Sequence, residues 1–306
     1  MKGAAASLCS TAAFQKSHKR HSADKDKPRD SPAGPRKRPT EPRTDPKPTI
    51  RPLEPQKPSR RQKNAKQTAK NHENPHTMLE RAKEIIRDIA AETDSVILMH
   101  SLSGKDSIAL LNLCAPHFNR IVCVYMYVVP DLDHIRPYHA YAANKYRNTE
   151  WVQVPHYGLY SWIKYGYMGI EKNPKQRLWK LADIIDKVRE RTGVEWACLG
   201  FKQTDSLNRL LMLRSYKDGK ESICRAGKKF YPLSTYTNRD VLAYIGEQNL
   251  KAPENYGGGG QSCGCDVSDY NYLKYLQQHY PSDLEKIYAK FPRTRFIITE
   301  HEQAKQ

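Results

Sequence analysis

The chain has 306 residues and a mean hydropathy of −0.80, and its 51 Lys and Arg residues against 33 Asp and Glu residues give a net charge of +18 at pH 7. No run of about 18 apolar residues occurs in it, so no membrane-spanning helix is expected. The chain has seven cysteines, an odd number that disulfides alone would not use up. Cys123 and Cys198 lie inside apolar runs, which is typical of buried thiols. This usage argues against a secreted disulfide framework and predicts a cytoplasmic protein.

The excess positive charge is concentrated near the start of the chain. Residues 1–76 hold 19 Lys and Arg, 7 Asp and Glu, and 11 of the 20 prolines, whereas residues 77–306 are composed like an ordinary globular domain. Between His18 and Lys70 there is almost no large apolar side chain whose burial would offset the entropy of ordering the chain. We therefore predict a disordered, basic, Pro-rich tail over 1–76 and one folded domain over 77–306.

Three interpretations of this tail stay open. It is a solvated extension, with Met78 at the start of the ordered part, or a basic arm that binds nucleic acid through phosphate contacts. The third interpretation is a targeting peptide, because the first 23 residues are basic and contain no acid.

Helical and strand patterns alternate from Thr77 onward. The predicted strands are four apolar stretches: Ser95–His100, Arg120–Val129, Trp151–His156 and Glu195–Gly200. The predicted helices are Met78–Thr93, Lys105–Cys114, one within His139–Tyr146, Arg177–Gly193, Ser206–Tyr216, Asn238–Asn249 with Asn238 as its N-cap, Asp269–Tyr280 and Ser282–Phe291. Such alternation is typical of an α/β fold, a parallel sheet with helices on both faces, and here a mostly helical C-terminal part follows it.

The stretch SLSGKDS, residues 101–107, follows the first predicted strand and opens the next helix. A small-residue turn at a helix N-terminus presents backbone N–H groups to a phosphate. The stretch is not a Walker A loop, because Asp106 follows Gly104-Lys105 and position 99 is Met, and a dinucleotide fingerprint would need two more spaced glycines. Ligands of doubly wound sheets bind at the carboxyl ends of strands, which is where this stretch lies.

SLSGKDS resembles the PP-loop, usually S-G-G-K-D-S, of the ATP pyrophosphatase superfamily. Two further stretches resemble motifs of its phosphoadenosine phosphosulfate reductase and ATP sulfurylase small-subunit family. LGFKQTDSLNR (199–209) is similar to G-x-R-x-x-[E/D]-S-x-x-R, and YPLSTYTNRDVLAYIGEQNLKAPENY (231–256) is similar to P-L-x-x-W-T-x-x-D-V-x-x-Y-I. The resemblance covers roughly residues 80–290 and excludes the tail.

The resemblance implies a Rossmann-like fold of the adenine nucleotide alpha-hydrolase type and the use of ATP and Mg²⁺. It implies an enzyme, sulfate adenylyltransferase-like, that splits ATP between the α- and β-phosphates, adenylates an oxyanion and releases pyrophosphate. The residues expected to bind the nucleotide are Ser101, Ser103, Gly104, Lys105, Asp106, Ser107, Asp205 and Ser206. Lys105, Lys202 and Arg209 are the expected catalytic cations, and Asp106 is the expected Mg²⁺ ligand.

The sequence departs from the family pattern at Ser103, where Gly is usual, at Lys202, where Arg is usual, and at Tyr236, where Trp is usual. It also lacks a cysteine in its C-terminal tail and the paired cysteines of cluster-containing reductases, so we expect no iron–sulfur cluster. Two alternatives to the adenylating enzyme stay open. One is an adenylyl-sulfate reductase, and the other is a non-catalytic nucleotide-binding regulatory or DNA-associated protein. The acceptor stays open among sulfate, a base and a partner protein.

Other chemistry-bearing residues have two interpretations each. Asp131 and Asp133 follow the second strand and either meet ribose or metal or cap their loop, and His100 is expected to be a packed residue. Cys263 and Cys265 are expected to belong to a glycine-rich lid, with a redox or metal role as the alternative. A cluster of aromatic residues is expected to be a packing surface, with base stacking as the alternative: Tyr157, Tyr160, Trp162, Tyr165 and Tyr167.

Overall fold

The computed structural model of the chain describes residues 75–216, 222–253 and 266–304, with side chains from residue 79 onward. The predicted tail and the pair Cys263 and Cys265 therefore lie outside the described residues. Among the helices of these ranges, none has both the length and the apolar character needed to cross a membrane.

A six-stranded sheet organises the domain. Its strands are β1 (Ser95–Met99), β2 (Arg120–Tyr127), β3 (Thr149–Pro155), β4 (Ala197–Cys198), β5 (Ile223–Cys224) and β6 (Lys229–Phe230). They lie in the order β3-β2-β1-β4-β6-β5, and every neighbouring pair is parallel except β5 and β6. The order reverses at β1, because β2 and β3 lie to one side of it and β4 to the other. A doubly wound sheet binds its ligand at the carboxyl ends of the two strands between which the order reverses, and here these strands are β1 and β4.

Ten α-helices surround or follow the sheet in the described ranges. They are α1 (Pro75–Ala90), α2 (Lys105–Cys114), α3 (Arg136–Lys145), α4 (Tyr157–Tyr165), α5 (Leu181–Thr192), α6 (Leu207–Arg214), α7 (Asn238–Glu247), α8 (Tyr270–His279), α9 (Pro281–Lys290) and α10 (Arg295–Gln303). Short 3-10 turns lie at Tyr167–Gly169 and Pro292–Thr294.

Each face of the sheet has its own apolar core, because successive side chains of a strand point to opposite faces. On one face Ile97 and Val122 pack with Ile184 and Val188 of α5. On the other face the intervening strand residues, such as Leu98, join the buried faces of α1, α2 and α7. Burial on both faces explains why β1 and β2 appear in the sequence as continuous apolar runs.

The predicted fold class, an α/β fold with a mostly parallel sheet flanked by helices, is confirmed. The element bounds differ in informative places. β4 is two residues long, whereas six were predicted, because only Ala197 and Cys198 pair on both sides, with β1 and β6. The hairpin of β5 and β6 and the helix α10 were not predicted.

Two helix starts also differ from the prediction. Helix α5 begins at Leu181, and the preceding segment with Trp179 lies outside the helix. The N-cap of α7 is Thr237 and Asn238 is the first helical residue, because Thr237 and Asp240 form a reciprocal capping box. The Thr237 amide donates to the Asp240 carboxylate at 2.7 Å, and the Asp240 amide donates back to the Thr237 hydroxyl at 3.3 Å.

Candidate functional site

A cleft of about 860 Å³ opens at the carboxyl edge of the sheet. Most of its polar wall comes from the loop after β1, the first turn of α2, the loop after β4 and the first turn of α6: His100, Ser101, Ser103, Gly104, Lys105, Asp106, Ser107, Gly200, Thr204, Asp205 and Arg209. Its apolar wall comes from the ends of β2 and β4 and from helices α4 and α9, and includes Tyr125, Met126, Val129, Trp162, Leu199 and Ile287. The cleft thus lies where the strand order reverses.

The loop after β1 is folded back onto the start of α2. The hydroxyl oxygen of Ser107 accepts a hydrogen bond from the Ser101 amide at 2.9 Å, and the two seryl oxygens are also 2.9 Å apart. The Leu102 amide donates to Nδ1 of His100 at 2.9 Å, and Leu102 has a φ of 60°, an unusual conformation for a leucine. Ser107, which was predicted to contact a phosphate, therefore also closes the loop.

Gly104 is favoured by its contact with Ser101 and not by backbone conformation. Its φ of −77° is open to any residue, but a Cβ atom there would lie 2.2 Å from the Ser101 hydroxyl oxygen. As the N-cap of α2, Gly104 provides no side-chain cap for the N–H groups of the first turn. The N-terminus of α2, with its partial positive charge, thus borders the cleft at Gly104, Lys105 and Asp106.

Four charged side chains link this turn to the loop after β4, and we call them the cleft cluster: Asp106, Lys202, Asp205 and Arg209. The Lys202 ammonium lies 2.8 Å from Oδ1 of Asp106 and 3.0 Å from Oδ1 of Asp205. Arg209 pairs with Oδ2 of Asp205 at 2.6 Å, and Nζ of Lys105 lies 3.3 Å from Oδ2 of Asp106. Positive and negative groups alternate through the whole cluster.

The two cations beyond the α2 turn differ in access to the cleft. The side chain of Lys202 is 1% exposed and lies behind the carboxylates that line the wall, whereas that of Arg209 is 39% exposed and belongs to the wall. The Arg209 guanidinium lies over the ring of Phe201, 4.0 Å from its centroid. Of these two predicted catalytic cations, the structure brings Arg209 to the cleft and buries Lys202 beneath it.

Asp205 is held in its charged form by these neighbours. Burial alone would raise the pKa of Asp205, but the hydrogen bond from the Lys202 amide, the Lys202 ammonium and the Arg209 guanidinium outweigh that effect and lower the pKa. Ser206, predicted to bind the nucleotide, is the N-cap of α6, and its hydroxyl accepts from the Arg209 amide at 3.2 Å. In this way the α6 N-terminus fixes the backbone from which Arg209 extends.

Gly200 is a site residue that we did not predict. A Cβ atom at Gly200 would lie 3.0 Å from Cβ of Asp106, so the chain after β4 passes too close to α2 for a larger residue without some shift. The signal was present in the sequence, because Gly200 is the glycine that opens the LGFKQTDSLNR stretch. Thr204, Asn238 and Asp269 also line the cleft, and none of them was among the predicted site residues.

His100 is a packed residue at the base of the cleft. It is 3% exposed, and its ring meets that of Trp151 edge-on at a centroid distance of 5.2 Å. Burial, and to a lesser degree the charge of His139, lower the pKa of His100 to about 3, so the imidazole is neutral at physiological pH.

Asp133 and Asp283 belong to a second charged group, which lies outside the cleft wall; we call it the buried clamp: Asp133, His134, Asp283 and Lys286. The carboxylate of Asp283 is fully buried and accepts from the amides of Asp133 and His134 at 2.7 and 2.9 Å. It also contacts Nδ1 of His134 at 2.9 Å and the Lys286 ammonium at 3.1 Å. Asp133 therefore connects the loop after β2 to α9 and does not line the cleft. Asp131, the other aspartate of this loop, does not line the cleft either.

Some residues of the predicted aromatic cluster pack against other rings, and others lie on the surface. Trp162 lines the cleft and packs against Tyr167 and Phe291, at centroid distances of 5.0 and 5.8 Å. Tyr160 stacks on Trp179, whereas Tyr165 is 66% exposed.

The described side chains do not form a metal site by themselves, since no group of three or more His, Cys, Asp or Glu residues in the described ranges is placed to hold an ion. Asp106 is the one predicted ligand, and it lies in the cleft wall with a quarter of its side chain exposed. Its two oxygens also meet the ammonium groups of Lys202 and Lys105, so Asp106 fits Mg²⁺ as one ligand beside substrate phosphates and water, the way in which Mg²⁺ usually binds.

No protein-family model matches the chain. No curated protein sequence matches it. Among solved structures it is similar to the U34-tRNA thiolase NcsA from Methanococcus maripaludis with its 4Fe-4S cluster, at 12% identity and a TM-score of 0.40, over 75% of this chain and 79% of that chain. It is also similar to the NH3-dependent NAD synthetase from Campylobacter jejuni subsp. jejuni NCTC 11168, at 14% identity and a TM-score of 0.38, over 74% and 96% of the two chains. Similarity at this level says nothing about the function of this chain.

Proposed function

We propose that the cleft binds ATP and cleaves it between the α- and β-phosphates, and that the domain over 77–306 is an adenylating enzyme of the phosphoadenosine phosphosulfate reductase-like family. The observation that carries the proposal is the position of SLSGKDS. The stretch that resembles a PP-loop forms the turn between β1 and α2, at the reversal of strand order, in the wall of a large cleft. A ligand phosphate at a helix N-terminus in this place fits the electrostatics of the fold.

The binding of the β- and γ-phosphates is assigned to the first turn of α2. Gly104 leaves the N–H groups of that turn without a side-chain cap, and Ser107 holds the preceding loop against the helix. Lys105 adds a full positive charge in the same wall. These groups stabilise the negative charge that grows on pyrophosphate as it leaves, which lowers the barrier of the reaction.

The α-phosphate is assigned to Arg209, a cation of the cleft wall whose side chain is 39% exposed. In the reaction an oxyanion of the acceptor forms a bond to the α-phosphorus while the bond from the α-phosphorus to the bridging oxygen breaks. The electron pair of the broken bond leaves with pyrophosphate. Lys202 serves this arrangement from behind the wall, because it fixes the carboxylates of Asp106 and Asp205 at a set distance from each other.

Asp106 would hold a Mg²⁺ ion together with the phosphate oxygens, and the ion would neutralise part of the phosphate charge. Binding and orientation of the nucleotide by the amides of α2 and by Lys105 do not depend on that ion.

The experiment is the release of pyrophosphate from ATP with a panel of oxyanion acceptors, combined with calorimetric measurement of ATP binding. We expect Lys105→Ala to weaken ATP binding and to abolish turnover while the chain still folds, with a lower thermal stability because the Lys105 side chain is 7% exposed and pairs with Asp106. Lys145→Ala is the matched control, because Lys145 is an exposed lysine at the end of α3, at the opposite edge of the sheet. Equal ATP affinity in the wild type and Lys105→Ala would refute the assignment of the phosphate loop. ATP binding without pyrophosphate release from any acceptor would favour the non-catalytic alternative.

A further inference from the structure

Five exposed cations lie in one stretch of surface beside the cleft, and we call this surface the basic rim: Lys172, Lys175, Arg177, Lys180 and Arg293. The first four come from the segment between the 3-10 turn Tyr167–Gly169 and α5. Arg293 joins them because its side chain packs over Gly169, where a Cβ atom would lie 3.0 Å from Cγ of Arg293. Glu171 is the only acid between positions 164 and 180.

The cations of the basic rim have no acidic partner within the described part of the chain. Some other exposed cations of the domain are paired with acids, such as Arg120 with Glu150 and Arg295 with Glu285. Uncompensated positive charge in one patch produces a local potential that attracts a polyanion.

The backbone of the basic rim is held in place by hydrogen bonds. The Asn173 amide donates to the carbonyl of Ile163 at the end of α4 at 2.9 Å, and the side chain of Asn173 accepts from the Lys175 amide at 3.1 Å. The Gln176 amide donates to the Asn173 carbonyl at 3.0 Å. The cations thus project from a turn of defined shape, which lowers the entropy cost of binding an extended partner.

Aromatic side chains are interleaved with these cations. Trp179 stacks on Tyr160 with a centroid distance of 5.5 Å and an interplanar angle of 23°, and the Arg177 guanidinium lies 5.2 Å from the centroid of Trp179. Tyr157 and Tyr165 on α4 are 37% and 66% exposed. Aromatic faces next to cations bind unpaired bases and their phosphates together, whereas an acidic peptide or an anionic lipid surface uses only the charge.

The basic rim is continuous with the cleft wall. Lys180 precedes Leu181, which lines the cleft, and α4 contributes Trp162 and its N-cap His156 to the same wall. A polymer that lies along the basic rim would therefore pass the mouth of the cleft.

From the charge, the stacked aromatics and this continuity, we propose that the basic rim binds a single-stranded nucleic acid beside the cleft. The proposal concerns binding and holds whether or not the cleft turns over ATP. A duplex fits less well, because its bases are already stacked and leave only the phosphate contacts.

The test uses the full chain and a fluorescently labelled single-stranded RNA and DNA of mixed sequence, of about 20 nucleotides so that it spans the rim. Binding is measured by anisotropy at about 50 and 200 mM salt. The test variant is the triple substitution Lys172→Gln, Lys175→Gln and Arg177→Gln. The matched control removes three exposed cations from the opposite edge of the sheet: Lys145→Gln, Arg147→Gln and Arg191→Gln.

We expect the rim variant to lose at least tenfold in affinity at low salt and to show a salt slope smaller by about 2, since three phosphate contacts to a single strand are removed. The control should lose no more than about threefold, because only the general field changes. Tyr165→Ala should weaken binding by roughly tenfold with the salt slope unchanged, as loss of stacking predicts, because its ring is 66% exposed, whereas the ring of Trp179 already packs against Tyr160 and Arg177. Calorimetric ATP binding and thermal melting of each variant show that the fold and the phosphate loop are intact.

Several outcomes would overturn the proposal. Equal loss in the rim and control variants would mean a nonspecific effect of net charge. An unchanged affinity of the rim variant would place the binding in another part of the chain, the basic tail included. Failure of the wild type to bind either strand, or tighter binding to an acidic peptide or to anionic vesicles, would exclude a nucleic acid as the partner of this surface.

Discussion

The cleft cluster and the buried clamp are built from the same kinds of side chain and differ in what they leave open. In the clamp, the Asp283 carboxylate is fully buried and meets two amides, an imidazole and an ammonium. In the cleft cluster, Asp106, Asp205 and Arg209 line an 860 Å³ cleft, whereas Asp133 and Lys286 of the clamp, although 34% and 35% exposed, do not line it. The comparison teaches that a charged cluster beside a sheet is a candidate site when its charged groups line a cavity, and a structural joint when they line none, because the carboxylate oxygens of Asp106 and Asp205 are paired just as those of Asp283 are.

The largest effect on stability is expected from removal of Lys202. Lys202→Met keeps an unbranched side chain that ends one atom short of the ammonium, and it leaves two carboxylates facing each other across a buried position. Removing one partner of a buried ion pair costs about 3 kcal/mol or more in the free energy of unfolding. We expect this loss in urea denaturation, together with weaker ATP binding, because Asp106 and Asp205 lose their fixed separation.

Lys202→Arg is the matched control for that change. It keeps the charge, and overpacking of a site that is 1% exposed should cost only about 1–2 kcal/mol. Stability and ATP binding of Lys202→Met equal to those of the wild type would show that the two carboxylates do not need the ammonium.

The next largest loss of stability is expected for Asp283→Asn. Unlike Lys202→Met, this substitution should lower stability and hardly change ATP binding. An amide at this position keeps one acceptor oxygen but loses the charge, and it presents an N–H₂ group toward donors, so the buried amides of Asp133 and His134 compete for one acceptor. We expect a loss of about 2–3 kcal/mol in the free energy of unfolding. ATP affinity should change by only a few-fold, since Asp283 does not line the cleft. A large loss of affinity at unchanged stability would reverse the roles of the two clusters.

The loss of stability of the domain in acid should depend strongly on the buried clamp. Burial would raise the pKa of Asp283, but its hydrogen bonds from His134, two amides and Lys286 outweigh burial and lower the pKa well below the usual value of 3.8. A carboxyl whose pKa is lower in the folded state stabilises the fold fully above its unfolded-state pKa. That stability is lost as the pH falls from about 4 toward the folded-state pKa.

Unfolding free energies measured between about pH 5 and pH 2 should therefore fall steeply in the wild type. The fall should be shallower in Asp283→Asn, because the variant has already lost this contribution. Asp205, whose pKa is also lowered, keeps part of the slope in both proteins. Parallel curves for the wild type and the variant would rule out Asp283 as a source of the acid sensitivity.

Sequence patterns predicted the cleft cluster better than the clamp, and the reason is the range of the contacts. SLSGKDS and the alternation of strands and helices are local, so the loop after β1 and its place at the sheet edge were predictable. The clamp joins residues about 150 positions apart, Asp133 and Asp283, and nothing local distinguishes an aspartate that will be buried there. The same limit hid the exposure of Lys202 and Arg209. The resemblance implied that both are catalytic cations, whereas the burial of Lys202 depends on the approach of Asp106 from α2.

The smallest effects on stability should come from a matched pair of exposed cations, Arg209 and Lys286, whose side chains are 39% and 35% exposed. Each pairs with the carboxylate of its own cluster, at 2.6 Å for Arg209 with Asp205 and 3.1 Å for Lys286 with Asp283. Because solvent screens such pairs, Arg209→Gln and Lys286→Gln should each cost only about 1 kcal/mol or less in the free energy of unfolding. Their effects on ATP should differ, since only Arg209 belongs to the cleft wall, and loss of a charged phosphate contact typically costs about 1.5–3 kcal/mol, or roughly 10- to 150-fold in affinity. Calorimetric titration of both variants decides the point, because similar ATP affinities would remove the functional distinction between the two clusters.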